Sequence, residues 1–312
     1  MRELVTAKRP LILGIGGGGD VVGALAIADH CRLFHGANPI VGGVTWERSV
    51  VDPEPGPRRA DEIENALEIA PGVLAASGET VIRGRGIPFA ESRVAGMLGV
   101  QTVLVDVTLG PRAIADGLEA AAETMGCDLI VFLDVGGDAL AHGDEPGLGS
   151  PLCDAVMLAA ADLLAERGVP VLGALFGTGC DGELTPGEVL ERLAEVGVAG
   201  GLAGAVGLTP EVAGLLEQAI EEVPTEASAQ AVRAFRGASG DVPIRDGRRT
   251  VHLSPLAAVT FFFLVPAAVR SAARLALAVR EAGDLDEANA ILRSLDVSTE
   301  LDWEVKRSER AD

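Results

Sequence analysis

The stretch PLILGIGGGGD at residues 10–20 decides the fold of this chain. Its apolar beginning is typical of a buried strand, the glycines form a loop, and a helical pattern starts at Asp20. Glycines let the backbone approach a ligand closely, and the N–H groups of a first helical turn attract anions. The pattern predicts a site for a phosphate, a carboxylate or a hydroxyl-rich ligand. The predicted ligand-binding residues are Gly16, Gly17, Gly18, Gly19 and Asp20.

The glycine loop matches one nucleotide-binding pattern and departs from another. Gly14, Gly16 and Gly19 satisfy the dinucleotide spacing, which a run so rich in glycine reaches easily. A P-loop would place Lys and then Ser or Thr after Gly19, where Asp20 and Val21 stand, so a P-loop ATPase is disfavoured. Three roles stay open for Asp20: a helix cap, a ligand of a divalent cation that bridges to phosphate, or an acceptor for a sugar or amine.

The composition narrows the class of protein. A chain of 312 residues, 48% of them hydrophobic, can bury a sizeable core. Its four cysteines form no C-x-x-C pair and no secretory signal pattern opens the chain, which favours a reducing cytoplasm. The net charge of −21 argues against a nucleic-acid partner, whose phosphates require Lys and Arg. Because salt screens the self-repulsion of so acidic a surface, we expect a salt-rich or hot cytoplasm.

The most apolar segment is residues 256–269, which is shorter than the ~20 residues of a membrane-spanning helix. We therefore expect no membrane partner. Ser254 and Pro255 precede the segment as a helix cap and a first-turn proline, which predicts a buried helix kinked near Pro266. The alternative is a subunit interface containing the phenylalanines at 261–263, and we expect a homo-oligomer through this segment.

Strand-length apolar runs alternate with helical patterns along the first part of the chain. The predicted strands lie at residues 10–15, 39–46, 79–83, 101–107, 128–135 and 169–176. The predicted helices lie at residues 20–34, 61–69, 89–98, 111–126, 151–167 and 185–196. This alternation predicts a Rossmann-like α/β fold, a doubly wound and mostly parallel sheet with helices on both faces, as a ligand-binding domain over residues 1–197.

The pattern changes at about residue 198. Residues 198–312 predict a mainly helical C-terminal cap without a further parallel strand. Helical patterns at 210–223 and 225–237 precede a small hairpin at 241–253, which turns around Asp246-Gly247. A last extended piece is predicted near residues 301–305.

Acidic residues follow the predicted strands at the ends where an open parallel sheet binds its ligands. Repulsion among converging carboxylates raises their pKa values, and a divalent cation removes the conflict. Mg²⁺ is the expected ion because it prefers oxygen ligands, with Asp134 and Asp138 as its first ligands. Asp20 or Asp181 would complete the site. A carboxyl group kept neutral there can act as general acid or base, which makes Asp138 and Asp181 catalytic candidates.

Two polar loops flank the predicted site. The first, residues 47–59, carries an arginine pair and several prolines, which predicts either a lid that offers arginines to a phosphate or a solvated connection. The second, residues 142–151, contains His142, the third catalytic candidate, for proton transfer. Glu47 and Asp106 end two strands and are predicted to bind the cofactor, with Glu47 where a dinucleotide enzyme binds ribose hydroxyls.

Taken together, these motifs resemble the prokaryotic family called domain of unknown function 1152. The resemblance rests on residues 16–20, 45–48, 52–57, 134–138, 143–151 and 179–184. It extends over nearly the whole chain. It implies a Rossmann-like fold and a polar site built from those loops, and it implies no particular reaction.

The residues support three hypotheses about function. The first is a metal-assisted enzyme, a Mg²⁺-dependent hydrolase or transferase, that acts on a phosphorylated or nucleotide-like small molecule bound at the glycine loop. The second is an NAD(P)-dependent oxidoreductase with Glu47 at the ribose and no metal. The third is a sensor that binds a small molecule without turnover.

Overall fold

The computed structural model describes residues 1–302. Its helices are α1 (Arg2–Thr6), α2 (Asp20–His30), α3 (Ala90–Leu98), α4 (Gly110–Met125), α5 (Pro151–Glu166), α6 (Pro186–Val198), α7 (Pro210–Glu222), α8 (Glu226–Phe235), α9 (Val265–Val269), α10 (Arg274–Val279) and α11 (Leu285–Ser294). Its strands are β1 (Pro10–Gly14), β2 (Ile40–Val44), β3 (Trp46–Glu47), β4 (Gly56–Pro57), β5 (Ile63–Ala70), β6 (Val73–Ile82), β7 (Ile87–Pro88), β8 (Thr102–Val105), β9 (Leu129–Val135), β10 (Val171–Phe176), β11 (Leu202–Gly207), β12 (Gly240–Ile244), β13 (Arg249–Leu253) and β14 (Val259–Phe263). Short helical turns lie at Ala60–Glu62, Val107–Leu109, Asp138–Leu140 and Pro255–Ala258, and a wider turn at Cys31–His35 follows α2.

A ten-stranded sheet in the order β11-β14-β10-β9-β1-β2-β8-β6-β5, with β7 beside β6, forms the centre of the molecule. Strands β10, β9, β1, β2 and β8 run parallel. This confirms the predicted α/β fold with a doubly wound, mostly parallel sheet. From β1 the chain continues to β2 and β8 on one side and later to β9 and β10 on the other. The strand order therefore reverses at β1, and the crevice that binds ligands in such sheets lies at the glycine loop after this strand.

Helices cover both faces of this sheet, as the buried side chains of β1 show. Leu11 and Leu13 pack with residues of α4, α5, α6, α9, α10 and α11, whereas Ile12 packs with residues of α1, α2, α3, α7 and α8. Helix α5 is buried along most of its length and carries Asp154 in its first turn. An interior helix brings such a carboxyl group out of water, which is unfavourable unless something compensates its charge.

The helix predicted at residues 61–69 is wrong, because this segment forms β5 at the edge of the sheet. Ile63, Ala66, Leu67 and Ala70 have the spacing of a helical face, which explains the error. The segment instead pairs antiparallel with β6, which also contains the predicted strand 79–83. Long-range pairing has overridden the local pattern here.

The buried helix predicted at residues 256–269 is also wrong. Strand β14 occupies its middle and inserts antiparallel between β10 and β11, and Pro266 belongs to the short helix α9 rather than to a kink. Phe262 and Phe263 point to opposite faces of the sheet and are buried by the chain itself. The segment is apolar because it contributes a buried strand to the sheet of its own chain. The predicted homo-oligomer stays a prediction. Within residues 1–302, no helix combines the length and apolarity that crossing a membrane requires.

Residues after 198 contribute both helices and strands. The predicted hairpin is present as β12 and β13, and the helices predicted before it are α7 and α8. Strands β11 and β14 join the central sheet, so the predicted helical cap is joined to the sheet by two strands. Leu301 and Asp302, predicted as extended, lie in a helical turn, and the rest of the predicted piece at 301–305 lies outside the described residues.

Candidate metal centre

Three carboxyl groups from separate elements meet at the carboxyl ends of the central strands. Asp20 begins α2 directly after the glycine loop, Asp134 lies near the end of β9, and Asp154 lies in the first turn of α5. One ligand oxygen from each lies within 4.8 Å of the others. We call Asp20, Asp134 and Asp154 the inner triad.

The inner triad has few hydrogen-bond donors. Asp20 Oδ2 accepts the Gly16 N–H at 3.0 Å, and Asp134 Oδ2 accepts the Ala139 N–H at 3.3 Å. Asp154 is only 1% exposed, and its Oδ1 has no hydrogen-bond partner within residues 1–302. A buried carboxylate oxygen in this position is stable only beside a cation or after protonation.

A second group of carboxyl groups adjoins the first. Asp138, Asp181 and Glu183 also place one oxygen each within 4.8 Å of the others, and we call them the outer triad. Asp181 is 7% exposed, and none of the described residues is a hydrogen-bond partner of its Oδ1. A Cβ on Gly136, whose φ is +137°, would lie 2.5 Å from this oxygen. Glycine at 136 therefore lets Asp181 lie directly against the loop that connects Asp134 and Asp138.

Glu183 differs from the other members of the outer triad because donors surround it. Its Oε2 accepts the N–H groups of Gly149 and Ser150 at 2.7 and 2.8 Å, and its Oε1 accepts the Ser150 hydroxyl at 2.6 Å. Arg249 and Arg245 lie 3.5 and 3.7 Å from Oε1. Glu183 therefore anchors the loop that leads into α5.

Burial and mutual repulsion raise the pKa values of the other acids. Burial holds the pKa of Asp134 well above its usual value, and the charges of Asp138, Asp20 and Asp181 add to this effect. Burial, followed by the charge of Asp154, does the same to the pKa of Asp138. Burial also raises the pKa of Asp20 and of Asp181 to about 7. Acids of each triad thus raise the pKa values of acids in the other triad. Such mutual repulsion is the effect expected of converging carboxylates.

Arg48 supplies positive charge beside the inner triad. Its guanidinium donates to the carbonyl of Gly16 and lies 3.8 Å from Glu300 Oε1. Glu300 is 3% exposed and accepts the N–H groups of Leu152 and Cys153 at 3.0 and 2.9 Å, so it caps the start of α5. Arg48 and Glu300 together connect the glycine loop to the helix that carries the third member of the inner triad.

The glycine loop bonds largely to its own chain. Gly16 donates to Asp20, and Gly18 donates to the carbonyl of Trp46 at 2.8 Å. Gly17 and Gly18 have φ values of +80° and +59°, which favour glycine. The N–H groups of Gly16 and Gly18 were predicted to bind an anion. In this conformation they donate instead to acceptors within the chain.

A small pocket of about 30 Å³ lies beside the glycine loop. Gly18 and Gly19 line it from the loop, Arg48 and Arg93 bring positive charge, and Glu47 lies at its wall. A larger pocket of about 340 Å³ lies beside Glu183 and is bounded by the hairpin β12–β13. The centre thus has a cationic pocket near the inner triad and a larger one near the outer triad.

Two acids predicted to bind the cofactor are held by local donors. Glu47 is buried, accepts the Ala90 N–H at 2.5 Å, and burial raises its pKa to about 7. Asp106 accepts the N–H groups of Ala60 at 2.8 Å and Thr108 at 3.0 Å, as a cap of the turn that follows β8. Glu47 still lines the small pocket, whereas Asp106 belongs to neither triad.

His142 and the arginine pair Arg58-Arg59 of the 47–59 loop also lie outside the triads. The His142 ring contacts Arg192, and its Nε2 lies 2.8 Å from Glu195 Oε2, so the ring packs on α6. Arg58 pairs with Asp52 of its own loop at 2.7 Å. The arginine that reaches the glycine loop is Arg48 instead.

A family model matches residues 11–308 of the chain, which include both triads and Glu300. The chain belongs to this family. The family is described as a protein of unknown function (DUF1152), and the resemblance seen in the motifs is confirmed. No curated protein and no solved structure matches the chain.

Sequence reasoning did not assign four residues of this DUF1152 centre, Asp154, Glu300, Glu183 and Arg48, although the last two lie in motifs that carry the family resemblance. Asp154 approaches from a helix rather than from a strand end, and the available signal was an acidic residue inside the apolar run 152–164. Glu300 lies far along the chain from every other residue of the site, and no local pattern marks it. Asp20, Asp134, Asp138 and Asp181, which the sequence did single out, lie together.

Proposed function

We propose that this chain is a metal-assisted enzyme that hydrolyses or transfers a phosphoryl group of a phosphorylated or nucleotide-like small molecule. The inner triad carries the proposal. Asp154 Oδ1 is buried without a partner in the described part of the chain, and two further carboxyl groups, Asp20 and Asp134, lie against it. A divalent cation bound there would satisfy this oxygen and remove the repulsion among the three groups.

Mg²⁺ suits the inner triad because every donor is a carboxylate oxygen. Oxygens bound to one Mg²⁺ at about 2.0–2.1 Å lie at most about 4.2 Å apart. Only one of the three pairs can have this trans separation, and cis ligands lie about 2.9 Å apart, so the oxygens, which lie within 4.8 Å of one another, would have to move closer together to bind one ion. Cys153 is adjacent to Asp154 in sequence, but its sulfur does not belong to the group of ligand atoms that meet in the inner triad.

The small pocket supports a phosphate-bearing ligand. Arg48 and Arg93 line it, and Arg93 Nε has no acceptor among the residues described. Two guanidinium groups can bind phosphate oxygens through several parallel hydrogen bonds. Gly18 and Gly19 at the wall let a ligand approach the backbone without a side chain in the way.

The proposed reaction moves a phosphoryl group from the substrate to water or to an acceptor hydroxyl. An oxygen of water or of an acceptor hydroxyl forms a bond to phosphorus, and the bond from phosphorus to the leaving oxygen breaks with its electron pair. The proton of the attacking oxygen passes to a carboxylate, and the leaving oxygen takes up a proton. Asp138 and Asp181 are the groups we assign to this transfer, since burial raises the pKa of Asp181 to about 7, where a group exchanges protons at neutral pH.

Thermal unfolding with and without Mg²⁺ tests the proposal. We expect 10 mM Mg²⁺ to raise the melting temperature of the parent protein, because a ligand at one hundred times its Kd stabilises the native state by about 2.7 kcal/mol. Asp134→Asn and Asp154→Asn should show a clearly smaller increase. Asp246→Asn, which changes an aspartate that is 96% exposed, is the control and should keep it.

The same assay with nucleotides and sugar phosphates separates the hypotheses. A ligand that stabilises only together with Mg²⁺, followed by release of phosphate or transfer to an acceptor, supports the proposal. An equal Mg²⁺ response in Asp154→Asn and the parent would contradict it. Stabilisation by NAD(P) without metal would favour the oxidoreductase, and stabilisation by an unphosphorylated metabolite without turnover would favour the sensor.

A further inference from the structure

The outer triad presents the same electrostatic problem as the inner triad. Asp138 and Asp181 are 6% and 7% exposed. Oδ1 of Asp181 has no hydrogen-bond partner in residues 1–302, although it lies against Gly136 and so faces the segment between Asp134 and Asp138. The partnerless oxygen is an observation separate from the clustering, and it shows that the side chains around Asp181 supply too few donors for its charge.

The outer triad is contiguous with the inner triad. Asp134 and Asp138 belong to the same strand end and the turn that follows it, and they contribute to different triads. Gly136 lies between them in sequence, and Asp181 of the outer triad lies against it, since a Cβ on Gly136 would be 2.5 Å from Asp181 Oδ1. Ions in two-metal enzymes lie about 3.5–4 Å apart, a separation that neighbouring carboxylate groups support.

We propose that the outer triad binds a second divalent cation, so that the chain holds a binuclear centre across both triads. This inference rests on the proposed function, since the first cation is the one assigned to the inner triad. With both cations bound, Asp138 and Asp181 are the ligands of the second cation instead of the proton acceptors of a centre with one cation, and the proton of the attacking oxygen passes to solvent water. Glu183, whose oxygens already accept hydrogen bonds from Gly149 and Ser150, fixes the position of the site and contributes negative charge.

The second cation assigns a place to the substrate. The pocket of about 340 Å³ is lined by Glu183 from the outer triad and by Thr250 and His252 from the hairpin. Such polar walls suit a hydroxyl-bearing organic group of the substrate. In a binuclear centre one ion binds the attacking oxygen and the other binds the leaving oxygen of the phosphoryl group.

Manganese provides a spectroscopic test on the whole chain. Mn²⁺ replaces Mg²⁺ at oxygen sites, so we expect equilibrium dialysis to give two Mn²⁺ per chain and electron paramagnetic resonance to show an exchange-coupled pair. Asp181→Asn and Asp138→Asn should each reduce the number from two to one and restore the spectrum of an isolated ion. Asp246→Asn is the matched control and should keep the coupled pair.

The outcomes separate this inference from the proposed function. One uncoupled Mn²⁺ per parent chain, lost in Asp154→Asn, would overturn the second site and leave the proposed function intact. No bound Mn²⁺ in the parent would overturn both. Circular dichroism checks that each variant folds, and if Asp181→Asn does not fold, the number of ions and the coupling in the parent decide by themselves.

Discussion

The inner triad and Asp106 both place buried carboxyl groups at the same end of the sheet, yet their surroundings differ. Asp106 accepts hydrogen bonds from the backbone N–H groups of Ala60 and Thr108 and from the Thr108 hydroxyl. Asp154 has an oxygen with no partner within the described range and two other acids beside it. Burial of an acid at a strand end is therefore not evidence of a ligand site. The missing donors are the evidence, because a buried charge without them requires a cation.

The largest change in stability from one substitution is expected when the side chain of Asp106, which accepts several hydrogen bonds, is removed. Asp106→Ala should lower the free energy of unfolding by about 3 kcal/mol, because it leaves the partly buried N–H groups of Ala60 and Thr108 without this acceptor. Urea unfolding in EDTA measures this change. Asp106→Asn, which keeps one acceptor oxygen, should lose less, and a loss below about 1 kcal/mol in the alanine variant would show that Asp106 is no cap.

A change of opposite sign is expected in the inner triad. Asp154→Asn should raise the free energy of unfolding by about 1–2 kcal/mol in EDTA, because the amide avoids the cost of burying a charge or taking up a proton, and the carboxylates of Asp20 and Asp134 can accept its N–H groups. Urea unfolding again gives the value. If the variant is less stable than the parent by more than about 1 kcal/mol, Asp154 is a structural residue of the same kind as Asp106.

The pH dependence of the metal-free protein sharpens the same contrast. Burial raises the pKa of Asp20 and Asp181 from 3.8, and that of Glu47 from 4.5, to about 7. The folded state then holds more protons than the unfolded state between about pH 4 and 7, so the contribution is complete at low pH and is lost as the pH rises through 7.

We therefore expect the free energy of unfolding in EDTA to be lower at pH 7.5 than at pH 5, by about 2 kcal/mol for each of these groups. Mg²⁺ should remove the part of this decrease that comes from Asp20 and Asp181, since a bound cation keeps these carboxylates ionised in the folded state, and should leave the part that comes from Glu47. Urea unfolding at the two pH values, with EDTA or with Mg²⁺, provides the comparison. A stability in EDTA that increases from pH 5 to pH 7.5 would contradict the assignment of raised pKa values to these acids.

The strand-end acids could be predicted as neighbours because the geometry of a parallel sheet places them together. An apolar run fixes where each strand ends, and parallel strands end at one edge, so Asp20, Asp134 and Asp181 had to approach one another. Asp154 could not be assigned in this way, because its position depends on how α5 packs against the sheet. Glu300 depends on the return of a distant segment, which no local pattern encodes.

The errors in the fold have a related cause. Residues 63–70 combine helical spacing with a strand conformation, and only the partner strand β6 decides between them. Phe262 and Phe263 were apolar enough for a buried helix or an interface, and pairing with β10 and β11 made them a strand. Gly173, whose Cβ would overlap the ring of Phe263, shows how closely that pairing fits. Patterns within one segment predicted the central strands well and the antiparallel additions poorly.

The smallest predicted effect is that of salt, which should act on the acidic surface and much less on the buried acids. At 1 M KCl the screening length is about 3 Å, which weakens repulsion among exposed charges and acts much less on the buried triads. With a net charge of −21, the parent should therefore unfold at a higher temperature in 1 M KCl than in low salt. Asp154→Asn should show the same increase, with stabilities that add within about 0.5 kcal/mol, because the salt acts on a different set of charges. Calorimetry of both proteins in EDTA at the two salt concentrations gives the four values needed. A clearly smaller salt effect in Asp154→Asn would mean that KCl reaches the inner triad, and that the triad is more open to solvent than its burial indicates.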